Sequence, residues 1–161
     1  MSSLWRLNNK RLALCASFGG AAFALRALNI MIPIGGPFVV DLRGIPGIVG
    51  AALTGPVGGL IIGVLTGMPA KFPMVDIPSF GLAYFLVGFA VAYLSKHKWM
   101  GGFMVLSGHA VAAVIAWAMG LVSSLPMSLV LVLPRAVIVV PIQMVLLYTV
   151  FKRWPNCLAL T

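Results

Sequence analysis

Acid is almost absent from this sequence. Asp41 and Asp76 are its only side-chain carboxylates, glutamate does not occur, and 8% of the 161 residues are charged, against about 25% in a soluble domain. The shortage removes most routes to an enzyme. General acid–base work would fall to His109, Asp41 or Asp76, and no two of these share a helix face. Cysteine is as scarce: Cys15 and Cys157 stand far apart with no CxxC, which indicates neither a disulfide framework nor a metal site. "LSGHA" is not a GxSxG elbow, and no Walker A loop is present for ATP hydrolysis. The expectation is a chain without catalytic residues, metal or cofactor.

What is abundant is apolar surface. The chain is 61% hydrophobic with a mean hydropathy of +1.11, too much for a fold this short to hide from water. The bilayer is the expected solvent. Long apolar runs over 12–32, 79–94, 101–122 and 128–151 approach or exceed the roughly 20 residues that a spanning helix needs. The stretch 45–68, "IPGIVGAALTGPVGGLIIGVLTGM", reads as one span or as a hairpin of two short ones broken at "TGP".

Loop charge arbitrates. With spans at 45–54 and 56–68 there are six, both termini are cytoplasmic, and the inside holds Arg6, Lys10, Arg11, Lys96, Lys98, Lys152 and Arg153. The outside then holds Arg43 and Lys71 with both aspartates. With one span the basic residues divide four inside to five outside. The expected fold is therefore an all-α integral membrane protein, a compact six-helix bundle forming one domain over 1–161, with short helices 2 and 3. The net charge of +9 is then loop charge facing anionic lipid, and nucleic acid is not needed to explain it. Arg6, Lys10 and Arg11 before an apolar run ending in Ala22-Phe23-Ala24 imitate a signal peptide, but the run continues through Arg26 to Ile32, so retention is expected.

Two stiff loops face outward in this topology: "PIGGPFVVDLRGIP" (33–46), with an extended-looking "FVVDL", and "PAKFPMVDIP" (69–78), each with three prolines. Gly55, Gly59, Gly63 and Gly67 recur every four residues, a small-residue stripe suited to close packing inside the bundle. Helix 1 carries two more, Ala13-Ser17-Ala21 and Ala16-Gly20-Ala24, a smooth face for internal packing or for a partner.

Ionisable residues inside spans are costly and are usually paired or functional. Arg26 is expected about 9 Å below the outer end of helix 1, and Arg135 about 10 Å below that of helix 6. Asn29, Tyr84 and Trp117 fall in the same half, beneath Asp41, Arg43, Lys71 and Asp76. Arginine grips carboxylates with its fork and stacks on rings, so this constellation suits a small anionic or acceptor-rich molecule. The competing reading pairs Arg26 with an aspartate and lets Arg135 snorkel or bond carbonyls freed by Pro134 and Pro141. His109 reads as a buried hydrogen-bonded histidine and Gln143 as a bridge between helices. Asp41 and Arg43 read as rim residues that bind substrate or latch the loops.

The "VVDLRGIP" loop, the short "GIVGAALTG" and the following "GPVGGLIIGVLTG" resemble the substrate-binding S components of energy-coupling factor (ECF) transporters. The resemblance covers most of the chain. It implies a multi-pass protein of a prokaryotic plasma membrane that captures a vitamin or related micronutrient at the outer face. Delivery follows docking on a transmembrane coupling subunit driven by two ABC-type ATPases. The AxxxA-type docking face of the family falls here on Ala13 and Ser17, or on Ala16 and Gly20, so another small residue replaces the second alanine. The alternative expectation is a solitary small-solute transporter or facilitator that works without ATPases.

Overall fold

Asn8 opens the first helix by accepting a hydrogen bond from the Arg11 N–H at 2.8 Å, which satisfies one of the orphan donors of a helix N-terminus. The computed structural model describes residues 5, 7–35, 38–94 and 97–154. Arg6, Lys96 and Cys157, part of the charge and cysteine reading above, lie outside the described residues, as does the C-terminal end.

Among the described residues there are five α-helices, α1 (Asn9–Ala27), α2 (Gly44–Gly67), α3 (Pro73–Tyr93), α4 (Val105–Ala118) and α5 (Leu125–Arg153). A 3₁₀ helix, Lys98–Met104, leads into α4, and two short strands, β1 (Met31–Gly35) and β2 (Phe38–Asp41), lie between α1 and α2. Four helical stretches, α2, α3, Lys98–Ala118 and α5, are long and apolar enough to cross a membrane. The chain thus has the character of a membrane protein.

The purely α-helical expectation needs correction in the first loop. The apolar run 12–32 does not continue as helix to Ile32. α1 ends at Ala27, and the Asn29 N–H bonds Arg26 O while the Ile30 N–H bonds Leu25 O, both at 2.9 Å. Asn29 takes φ 55°, the left-handed turn that closes helices of this kind. Met31 to Gly35 then pairs antiparallel with Phe38 to Asp41, with Met31 opposite Asp41 and Ile32 opposite Val40. The extended-looking "FVVDL" thus has a partner strand drawn from the tail of the apolar run.

α2 is one helix in name and two in shape. Gly55 has φ 80° and ψ −169°, a conformation essentially reserved for glycine. Pro56 reinforces the break by disfavouring helical backbone in the residue before it. The chain folds back here. A straight helix would hold Arg43 and Thr66 about 35 Å apart, yet Arg43 Nη1 donates to Thr66 O at 3.0 Å. The interruption expected at "TGP" is present, although the two arms count as one continuous element.

The glycine stripe decides how the second arm packs. A Cβ at Gly59 would collide with Tyr84 O, one at Gly63 with Phe80 O, and one at Gly67 with the Ile77 backbone. These arms touch backbone to backbone, which only glycine permits. On the other side, α1 lays Cys15, Gly19 and Ala22 against the hairpin, with Leu65 over Gly19 and Phe18 over Gly50. Thr54 and Thr66 are fully buried, and each returns its hydroxyl to the carbonyl four residues back at 2.7 Å, which satisfies both hydroxyls inside the core.

α3 begins earlier than the 79–94 expected, because Pro73 fits the first turn, where a missing N–H costs nothing. Asp76 therefore sits on the first turn of a helix and not on a loop. α4 is shorter than the run 101–122, its first turns being 3₁₀. α5 slightly exceeds 128–151, starting from Ser124, whose hydroxyl accepts from the Met127 N–H.

Candidate functional site

The register of the small sheet brings charge together. With Met31 opposite Asp41, Arg26 in the last turn of α1 reaches both, Met31 Sδ at 3.5 Å and Asp41 Oδ2 at 3.8 Å. Asp41 also turns the chain into α2, its Oδ1 accepting the Arg43 N–H at 3.1 Å, a local bond typical of aspartate in turns. Its Oδ2 lies 2.7 Å from Arg43 Nε.

Arg43 is the hub. Its Nη2 meets Asp76 Oδ2 at 2.6 Å, its Nη1 caps the second arm of α2 at Thr66 O, and its guanidinium lies 4.3 Å above the Phe80 ring. The side chains of Arg43 and Asp41 are 3% and 4% exposed, so the pair is buried and not on a rim. An arginine fork is suited to such sharing because its donors are fixed in one plane. One guanidinium ties the strand, both ends of the α2 hairpin and the first turn of α3, a latch that engages Asp76 but not Lys71, which lies over Phe72.

A cavity of about 80 Å³ opens beside this latch, between the start of α2, α3, α4 and α5. Asp41, Arg43 and Asp76 form one wall. Arg135, His109 and Gln143 project from α5 and α4 on the other, and Phe80 and apolar side chains lie between. This is room for several waters or a small organic molecule.

The predicted residues divide. Asp41, Arg43 and Arg135 line the cavity. Arg26 reaches the cluster through Asp41 but does not line the space. It occupies the last turn of α1, whereas Arg135 is ten residues, about 15 Å, into α5. Tyr84 is fully buried and packs its hydroxyl against Gly47, with Phe80 edge-on at 5.6 Å. Asn29 is the exposed turn residue after α1, and Trp117, 45% exposed, points away at the far end of α4. Lys71 is exposed and lies over the Phe72 ring.

Two residues with other expected roles join the site. His109 is hydrogen-bonded as expected, its Nδ1 lying 3.0 Å from Val105 O. Gln143 is 4% exposed and stands against Gly44 at the start of α2, with Oε1 buried and unpartnered. The helical spacing of Arg135, Val139 and Gln143, four residues apart, could have placed all three on one face. Because α5 is apolar all round, nothing marked that face as the inward one.

The docking candidates on α1 are all exposed: Ala13, Ala16, Ser17 and Gly20 lie opposite the buried Cys15, Gly19 and Ala22. A Cβ at Gly20 would meet nothing within 4 Å. No family model, characterised protein or solved structure matches the chain. The site is therefore read from its own chemistry.

Proposed function

We propose that this chain is the substrate-binding subunit of an ECF-type importer, an S component without activity of its own, in a prokaryotic plasma membrane. In this reading it crosses the bilayer six times with both ends cytoplasmic, α1 and the two arms of α2 each counting as a crossing. The cavity beside Arg43 faces outward and receives a vitamin-like solute. A coupling subunit with two ABC-type ATPases completes the transporter.

The observation that carries the reading is the cavity itself, walled by charged side chains in a bundle of membrane-length apolar helices. Structural pairing alone leaves no reason for such a space, since charge buried among spans is costly unless it serves a task. The fold-back at Gly55 supports an even number of crossings, and the exposed small-residue face of α1 supports a helical partner that must approach closely.

The test is affinity capture of the tagged protein from native membranes in mild detergent, followed by mass spectrometry. The reading predicts two ABC-type ATPases and a larger membrane subunit in the eluate. It predicts their loss with Gly20→Trp, which leaves the fold intact because the position opens to empty space. Recovery of the chain alone, in a preparation where a known complex survives, would favour a solitary facilitator.

A further inference from the structure

The cavity has two unlike walls, and the difference between them specifies a ligand. On the latch wall every charge is spent. Asp41 and Asp76 both face Arg43, whose Nη1 and Nη2 donate to Thr66 O and Asp76 and whose Nε lies 2.7 Å from Asp41 Oδ2, and Arg26 adds to Asp41. On the opposite wall His109 Nδ1 is engaged by Val105 O, but the cation is not. Arg135 makes no ion pair or hydrogen bond among the described residues, and its Nε is buried. Pro134 and Pro141 leave two carbonyls of α5 without their usual donors, but Arg135 bonds neither.

The neighbours of Arg135 are of the opposite kind. A carbonyl only accepts, so His109 Nδ1 carries the proton it shares with Val105 O. A neutral imidazole then presents Nε2 as a bare acceptor. Gln143 Oε1 is a second buried acceptor without a donor. Leaving such groups unpaired costs the full desolvation of each, and the cavity is where a partner would enter.

The geometry points to a ligand that is anionic at one end and carries an N–H or O–H donor at the other, its anion taken by Arg135 and its donor by Gln143 Oε1, with His109 Nε2 beside them. Charge balance agrees. Arg26, Arg43 and Arg135 face two aspartates, so a monoanion neutralises the cluster. A neutral ligand leaves one cation uncompensated, and a dianion brings a second charge into a wall that already holds two carboxylates. Arg135, Val139 and Gln143 lie on one face of α5, and the two polar residues are about 12 Å apart along the axis, enough for one ring between the poles. This inference rests on the cavity being the substrate site, but it does not require the coupling partners.

The experiment uses the purified full chain in nanodiscs and three matched probes: 4-hydroxybenzoate, benzoate, which lacks the donor, and 4-hydroxybenzamide, which lacks the charge. Binding is read by thermal-shift titration. The expected result is saturable binding of 4-hydroxybenzoate, at least about tenfold tighter than the amide and about fivefold tighter than benzoate, as one charge-assisted and one neutral hydrogen bond would give. Arg135→Gln removes the preference over the amide, Arg135→Lys restores part of it, and Gln143→Leu removes the preference over benzoate. The lysine variant separates loss of charge from loss of fold. Equal binding of acid and amide, an unchanged preference in Arg135→Gln, or no saturable binding of the acid would each overturn the inference. Capture of ATPases alongside any of those results would leave the importer reading standing and remove the anion site alone. Anion binding without captured ATPases would do the reverse.

Discussion

α2 and α5 are both apolar enough to cross a membrane, and they are used in opposite ways. In the most apolar window of α2, 61% lies buried inside the protein; in that of α5, 17% does. Eight of the 24 residues of α2 are glycine, and α5 has none in 29. Hydropathy reports that both segments leave water. Side-chain size reports what each meets instead: protein backbone for α2, and lipid or a partner for the Val- and Leu-rich outer face of α5, where Val137 and Val145 are 69% and 64% exposed.

If α2 is the core that the contrast implies, damage there should be severe, and worst where charge is buried. Arg43→Ala takes the close counterion from Asp41, leaves Asp76 without its ion-pair partner and removes the tie between the two arms of α2. It should cost about 3–5 kcal/mol, the usual penalty for orphaning a buried ion, seen as loss of monodisperse protein on gel filtration. Combining Asp41→Asn and Asp76→Asn with Arg43→Met should recover much of that loss, and no recovery would mean the latch is not electrostatic.

Next comes Gly63→Leu. Its side chain meets the Phe80 carbonyl, and a backbone cannot step aside as a flexible side chain can. Overpacking of this kind costs about 1–3 kcal/mol or more, and the thermal midpoint in nanodiscs should fall clearly. A midpoint equal to wild type would show that the α2 and α3 arms are looser than described. The smallest effect belongs to α5. Val145→Ala should change stability by no more than about 0.5 kcal/mol, as surface positions generally do. A large loss there would mean that the exposed face of α5 is covered by a second protein.

Sequence reading reached α2 more easily than the site. The Gly55-Pro56 break follows from a missing N–H and a glycine-only backbone, both local properties, and the four-residue glycine period announces close packing without knowledge of the partner. The polar loop misled for a physical reason. Proline, glycine and charge together signal a surface turn, but Asp41 and Arg43 are buried because each supplies the other's counterion. β1 hid in the apolar tail of α1, where the only sign of its start was Asn29, a residue that tolerates the left-handed turn, with Pro33 shortly after. Trp117 is 45% exposed and does not line the cavity, which a position near a helix end does not reveal. His109 and Gln143 were visible as polar residues in spans, but their convergence on one cavity depends on how α4 and α5 are rotated, and an all-round apolar helix carries no record of rotation.

In the proposed six-crossing topology the fold-back of α2 underlies the rest, because it would set the number of crossings and thereby which side the cavity faces. It is tested most directly by thiol labelling in intact cells, after Cys15 and Cys157 are replaced by serine. Single cysteines are placed at Leu7, Ile30, Leu121 and Trp154. The account predicts that an impermeant maleimide labels Ile30→Cys and Leu121→Cys in intact cells, and labels Leu7→Cys and Trp154→Cys only after permeabilisation. Labelling of Leu7→Cys and Trp154→Cys from opposite sides would mean an odd number of crossings, and α2 would then pass through the membrane as a single span.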